Sequence, residues 1–165
     1  MAENNISFDI PDINGKFNYR VGAIIIHDGE ILMAKNANSP FYYTVGGRVQ
    51  FGESSQETLL REVYEETQIH FEIDRLAFIH EVFFVDDSDG VNFHEMAFFF
   101  VLKSNSVALK EIKNHFYEGD YGKVELHWLP IENLENLEIY PEFFKTELQN
   151  LQNSVSQPKH LITRG

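Results

Sequence analysis

The sequence predicts a mixed α/β fold: a mixed β-sheet, one central helix ending near Thr67, and a second helix toward the C-terminus. Three observations carry this. Residues 21–26, Val-Gly-Ala-Ile-Ile-Ile, form a β-branched run that turns at His27-Asp28-Gly29-Glu30 into a second strand over Ile31–Lys35, so 20–35 reads as a hairpin. Segments 76–85 and 93–102 are strongly β-prone and flank the turn-forming run Asp86-Asp87-Ser88-Asp89-Gly90. Between these pairs, the residues up to Thr67 are rich in helix formers behind Ser54 and Ser55, either of which can cap a helix whose third position is Glu57 or Thr58.

The other elements follow in order. Asn36–Pro40 is a loop by composition, and Phe41–Val45 is a short aromatic strand running into Gly46-Gly47. Leu59, Val63 and Leu60 supply the buried stripe of the central helix. The Phe98-Phe99-Phe100 run reads as buried strand. Lys123–Leu129 is a further strand ended by Pro130, Ile131–Leu137 a short helix, and Pro141–Gln152 a longer amphipathic helix with Pro in its first turn. The polar residues 153–165 read as a mobile tail. With no repeat and no long linker, the expectation is a single domain over 1–165 with its core at about 18–152.

Composition removes several functions. The chain has no Cys, which excludes disulfides, zinc–thiolate sites and thiol catalysis. No run of apolar residues is long enough for a transmembrane helix, and Met1–Asp9 lack the order of a signal peptide, so a cytoplasmic location is the default expectation. A formal charge of −13 argues against binding a nucleic-acid polymer, since such proteins present a basic face. An acidic protein can still handle a small phosphorylated ligand if divalent cations stand between the two. His80, His94, His115 and His127 lack the spacing of a shared metal site, and Asp86, Asp87 and Asp89 read as a solvated turn.

Glu62, Glu65 and Glu66 stand at i, i+3 and i+4, so all three carboxylates project from one helical face. Like charges at that spacing cost about 0.2–0.5 kcal/mol per pair, a cost that one Lys would have removed. Arg61, four residues after Glu57, is placed to pair with it and leave the other three carboxylates free. Oxygen-only ligands suit Mg²⁺ or Mn²⁺. An ordinary solvated acidic face would account for these residues alone. The preceding loop argues otherwise: Gly46-Gly47 lets backbone approach a ligand closely, and Glu53 adds a carboxylate at the mouth of the helix.

Gly47, Glu53 and Arg61-Glu62-Val63-Tyr64-Glu65-Glu66, separated by five and then seven residues, resemble the box of the Nudix (MutT-like) hydrolase family: Gly-x5-Glu-x7-Arg-Glu-U-x-Glu-Glu-x-Gly-U, with U a bulky aliphatic residue. Ile69 matches the last position. The chain departs from the box at Gln68, where the family usually has Gly, which predicts a differently shaped turn after the helix. It also departs at Gln50, where many relatives carry Glu, and at Val45, which replaces a frequent Pro. The resemblance extends at the level of element order over roughly residues 18–150, including Glu125-x-x-Trp128-Leu129-Pro130.

The resemblance implies an α/β/α sandwich around a mixed β-sheet. It also implies hydrolysis of a phosphoanhydride bond in a nucleoside diphosphate linked to another moiety, in substrates such as nucleoside triphosphates, ADP-ribose or nucleotide sugars. The metal ligands it implies are Glu62, Glu65 and Glu66 with the Gly46 carbonyl, holding Mg²⁺ or alternatively Mn²⁺. Glu65 and Glu66 are also catalytic candidates, Glu53 binds metal or holds Arg61, and Arg61 orients Glu53 or Glu57. The general base lies in the helix or in a later segment, where Glu118, Glu125 and Glu95 are candidates and His115 is at best a proton shuttle. Arg48, Tyr43 and Phe51 are candidates for substrate contact, with Phe41 and Tyr42 as further aromatics. The alternative to an enzyme is an inactive domain of this type that binds a nucleotide for regulation. A small nucleotide is the expected partner, without membrane, and a homodimer is the assembly common among such proteins.

Overall fold

A computed structural model describes residues 4–104, 109, 112, 116–119, 122–151 and 157–165. Its strands divide between two mixed sheets that pass from one to the other at two buried points. The first sheet has the order β1 (Ser7–Ile10), β2 (Gly15–Ile24), β8 (Asn92–Leu102), β7 (Ile73–Val85), β12 (Lys159–Arg164), with β6 (Gly46–Arg48) also on β2. The second has the order β11 (Ile139–Tyr140), β5 (Tyr42–Thr44), β4 (Glu30–Asn36), β10 (Gly122–Pro130), β9 (Phe116–Gly119), with β3 (Ile26–His27) also on β4. Ile25 joins β2 to β3 and Val45 joins β5 to β6; both are fully buried. The carbonyl of Val45 accepts from Ala23 N–H at 2.8 Å and that of Ile25 from Leu32 N–H at 3.0 Å, so both carbonyls at the crossings stay hydrogen-bonded.

Alternation along the strands splits the core in two. Ala23, Ile25, Leu32 and Ala34 face one cluster together with Leu59 and Val63 of helix α1 (Ser55–Thr67). Ile24, Ile31 and Met33 face the other, with Phe144 of helix α2 (Phe144–Glu147), Leu148 and Leu151. A helix thus covers each outer side, which is the α/β/α arrangement the family resemblance implies.

Helix α1 begins at Ser54. Its hydroxyl accepts from Glu57 N–H at 3.2 Å while Ser54 N–H donates to Glu57 Oε2 at 2.8 Å, a reciprocal capping box. Leu59 and Val63 are fully buried, but Leu60 is 38% exposed, because it lies one position off the stripe the sheet covers. The helix closes on Gln68, where the departure from glycine predicts a turn of another shape. Gln68 instead takes the left-handed conformation a glycine would take, at φ 59° and ψ 22°. Its side-chain amide donates to the Tyr64 carbonyl at 3.2 Å and the Glu65 carbonyl at 3.1 Å, offsetting the strain by satisfying helix-end acceptors. Gln68→Ala keeps the strain and loses both bonds, so it should destabilise the protein by about 1 kcal/mol. Gln68→Gly should stay within about 0.5 kcal/mol of the parent. Urea unfolding midpoints at unchanged slope check both.

Two C-terminal expectations need correction. The single helix expected over Pro141–Gln152 is a short α2 followed by a 3₁₀ turn over Leu148–Asn150; Gln152 lies outside the described residues. Its first bonds run to the third residue back, from Phe144 to Pro141 and Lys145 to Glu142, which tightens the segment. The polar tail is also structured in part: β12 pairs in parallel with β7 from Lys159↔Phe78 to Arg164↔Phe83. His80 Nε2 meets Thr163 Oγ1 at 3.0 Å, Lys159 pairs with Glu147, and Arg164 lies over the Phe83 ring, contacts that a polarity pattern does not display.

Candidate active site

Strand β6 brings its two glycines against α1. A Cβ at Gly47 would fall within 2.6 Å of Glu62 Oε2, so the absence of a side chain there is what admits the Glu62 carboxylate. Gly46 holds φ 147°, and a Cβ there would strike the Val21 carbonyl oxygen across the β2–β6 ladder. Gly46 N–H points at Glu66 Oε1 at 3.4 Å. The glycine pair and the acidic face therefore meet as one surface.

Arg61 occupies the middle of the carboxylates. Its Nε and Nη2 fork onto Glu53 at 2.9 and 3.0 Å, while Nη1 reaches Glu62 Oε1 at 2.8 Å and Glu65 Oε2 at 3.4 Å. The fork of donors from Arg61, reinforced by Thr58 Oγ1 at 2.7 Å, holds the Glu53 carboxyl below the usual carboxylate range. Hydrogen bonding to Glu53 in turn pushes the Arg61 guanidinium up, so it stays charged. Of the two partners expected for Arg61, it takes Glu53 and not Glu57, and it does not leave the other carboxylates free. Glu57 is taken up by the capping box, and Arg61 turns to the three acids it can bridge.

Glu66 differs from its neighbours. It is 7% exposed, and its Oε2 is buried without a hydrogen-bond partner among the described residues. Burial pushes its carboxyl up to about 8, with Glu62 and Glu65 adding to the rise and the Tyr117 hydroxyl and Gly46 amide opposing it. Tyr43 on β5 and Tyr117 on β9 flank it, and burial together with the Glu66 charge raises both phenols. Among the described residues no three acidic or His side chains converge as a finished cage for a cation, since Arg61 stands between Glu53, Glu62 and Glu65. The donor set still fits a hard cation: the ligands are oxygens, and one of them, Glu66 Oε2, is buried without a hydrogen-bond partner among the described residues.

The remaining candidates scatter. Arg48 lies on β6 beside the glycines. Phe51 is 85% exposed on the loop before Glu53. Glu125 sits on β10 between Lys123 and His127, at 3.5 and 3.4 Å, while Glu118 is on β9 opposite Lys123 with its side chain outside the described set. His115 also lies outside it. Glu95 is held by Asn18 at 2.6 Å and lies 3.8 Å from Arg20, which leaves it poorly placed to accept a proton from water. Phe41 packs edge-on against Tyr140, and Tyr42 against His127. Thr58, Tyr117 and Arg20 escaped sequence reasoning. Thr58 falls in the variable stretch of the motif, and the other two become neighbours of the site only through strand register.

Glycines that admit a carboxylate, an arginine bridging three acids and a buried acid meet at one place on this sandwich. The NUDIX domain family model matches residues 16–147, and the chain belongs to the Nudix hydrolase family. The chain is 26% identical over 114 residues to the uncharacterised Nudix hydrolase YvcI of Bacillus subtilis (strain 168), a match covering 69% of this chain and 66% of that protein. A mutator MutT protein from Bacillus halodurans superposes with a TM-score of 0.58 at 18% identity, covering 87% of this chain and 89% of that one. An ADP-ribose pyrophosphatase from Streptococcus suis superposes at 0.55 and 15%, covering 88% and 98%. These likenesses show the fold. Hydrolases of this family generally use divalent metal ions, and no helix among the described residues is long and apolar enough to cross a membrane.

Proposed function

We propose that this chain, acting as one domain in the cytoplasm, hydrolyses a phosphoanhydride bond in a small nucleotide, a nucleoside diphosphate linked to another moiety, with Mg²⁺ or Mn²⁺ as cofactor. The observation that carries this reading is the buried, partnerless Glu66 oxygen lying with Glu62 and Glu65 on the helix face beside Gly46-Gly47. Glu62, Glu65, Glu66 and the Gly46 carbonyl are the groups that would hold the cation. Bound there, it would screen the diphosphate from the acidic helix, polarise phosphorus and lower the pKa of the attacking water.

The chain's own residues supply the rest. Arg61 fixes Glu53 and spaces Glu62 from Glu65, offsetting repulsion among the acids. Glu53, held low by Arg61, is a weak base and serves to orient, so the proton from water falls to Glu65 or Glu66 on the helix or to Glu118 or the half-exposed Glu125 on the later strands. Arg48 offers a guanidinium to phosphate oxygens, and Phe51 and Tyr43 are aromatic surfaces for the base.

A panel of nucleoside triphosphates, dinucleotides and nucleotide sugars, assayed for product with each cation, tests the reading. Glu65→Gln should lower cation-dependent phosphate release by about 10²-fold with the fold intact. Unchanged turnover in that variant would sink the helix as the metal site. Tight nucleotide binding by the parent protein without any product would mark it as a sensor instead.

A further inference from the structure

The loop that delivers Glu53 to the helix is held from outside the motif. Val49, fully buried, donates its N–H to the Tyr19 carbonyl at 2.9 Å, and its own carbonyl accepts from Ile6 N–H at 2.7 Å. Two residues on, Phe51 N–H donates to the Asn4 carbonyl at 2.7 Å, with Asn5 and Gln50 paired antiparallel between these two bonds. The Ile6 carbonyl accepts from Tyr19 N–H at 3.1 Å, and the Ile6 side chain packs against the cluster beneath α1. Residues 4–6 thus form a short strap bonded both to β2 and to the loop. The strap lies ahead of residue 16, where the match to the family model begins.

Beyond Val49 the loop turns sharply. Glu53 N–H closes a four-residue turn on the Gln50 carbonyl at 3.0 Å, and Gly52 at its third position has φ 93°, as a type II turn requires. Phe51 at the tip is 85% exposed, so packing of its side chain does not hold the turn. The bond to Asn4 does, at the second position of the turn, beside Gln50 where it pairs with Asn5. Glu53 leaves this turn to take the Arg61 fork at 2.9 and 3.0 Å and the Thr58 hydroxyl at 2.7 Å. A displaced turn carries Glu53 away from that fork. Arg61 is then left to the acids it already reaches, Glu62 at 2.8 Å and Glu65 at 3.4 Å.

We propose that residues 4–6 are a positioning strap for the acid cluster: their main chain holds the turn over 50–53, and so keeps Arg61 on Glu53 instead of on the helix carboxylates. The strap has no chemistry of its own and acts through Glu53. When it is loosened, Arg61 binds Glu62 and Glu65 more fully and competes with a cation for both.

The effect on cation binding rests on the helix acids holding a metal, but the strap itself can be read without one. Arg61 Nε–H donates to Glu53, so in the isotopically labelled full chain its NMR signal should exchange slowly with solvent when no metal is present. Phe51→Pro keeps the turn, whose second position accepts proline, and removes the N–H held by Asn4. Phe51→Ala removes the ring alone and is the control. Relative to that control, Phe51→Pro should speed Arg61 Nε–H exchange about tenfold and weaken Mn²⁺ binding about tenfold, the weight of one hydrogen bond. Ile6→Pro, which removes the bond to Val49, should do the same against Ile6→Ala. A strap that only stabilises the fold predicts lower melting temperatures in the proline variants, with Arg61 exchange and Mn²⁺ affinity equal to those of the alanine controls. That result overturns the proposal. If Ile6→Pro fails to fold, the exposed Phe51 pair decides. Faster Arg61 exchange in Phe51→Pro, from a parent chain that binds no Mn²⁺, would sink the metal reading and keep the strap. Unchanged exchange, from a parent that binds Mn²⁺ and turns over substrate, would reject the strap and leave the hydrolase reading standing.

Discussion

Glu66→Gln should lower turnover by about 10²–10³-fold, the range for removing one group that stabilises charge in the transition state. It should also abolish a proton release that the parent protein shows on cation binding. The reason lies in the burial of this carboxyl, which is pushed up to about 8 and is therefore mostly protonated at neutral pH in the cation-free protein. A cation requires the charged form, so binding expels the proton and the apparent cation affinity rises between about pH 6 and 8. Titration calorimetry in buffers of different ionisation enthalpy reads this release directly. The same group sets a stability slope. Its folded-state pKa lies above the unfolded value, so between about 4.5 and 8 the folded protein holds the extra proton and stability falls as pH rises through that window. Gln has no such titration, and the slope should flatten in the variant. A parent protein whose cation affinity is flat over that range would contradict the account.

The second large effect concerns the fold as much as the chemistry. Gly46→Ala should lose several kcal/mol of stability and nearly all activity. Its Cβ meets the Val21 carbonyl, which is backbone and cannot swing away, and φ 147° is a conformation that side chains rarely adopt. Gly47→Ala meets the Glu62 carboxylate instead, the far end of a side chain that can move. It should therefore fold with a loss of about 1 kcal/mol and fail mainly in cation binding. Thermal melts paired with Mn²⁺ titration separate the two. Equal melting temperatures for both variants would contradict the distinction.

The parts legible in the sequence were those written as local pattern. The capping box at Ser54 and Glu57, the buried Leu59 and Val63 and the long pair of strands before and after Asp86 all reflect spacings of a few residues. The acids of the helix were legible for the same reason. The hairpin expected over 20–35 forms only where Ile26 and His27 meet Ile31 and Glu30, because residues 21–24 belong to β2 and pair with β6 and β8 in the other sheet. What stayed hidden depends on which strand lies beside which. Helical spacing matched Arg61 only to Glu57; Glu53 entered as its partner through the family resemblance, because it lies in a loop whose path only the fold defines. Arg20 and Arg48 are far apart in the chain and opposite one another in the ladder. β12 eluded the reading because an edge strand with most residues in water carries little alternation, and its partner β7 is remote in sequence.

Gln68 carries a consequence for how such proteins are recognised. The motif position after the helix is usually described by its residue, glycine, yet here a long amide fills it in the same left-handed shape and ties down two carbonyls in exchange. What the position requires is a backbone torsion, and glycine is one of at least two ways of meeting it. Patterns that insist on the letter will pass over chains whose chemistry is complete. A pattern written for the torsion, admitting amide side chains long enough to reach back to the last helical turn, would retain them.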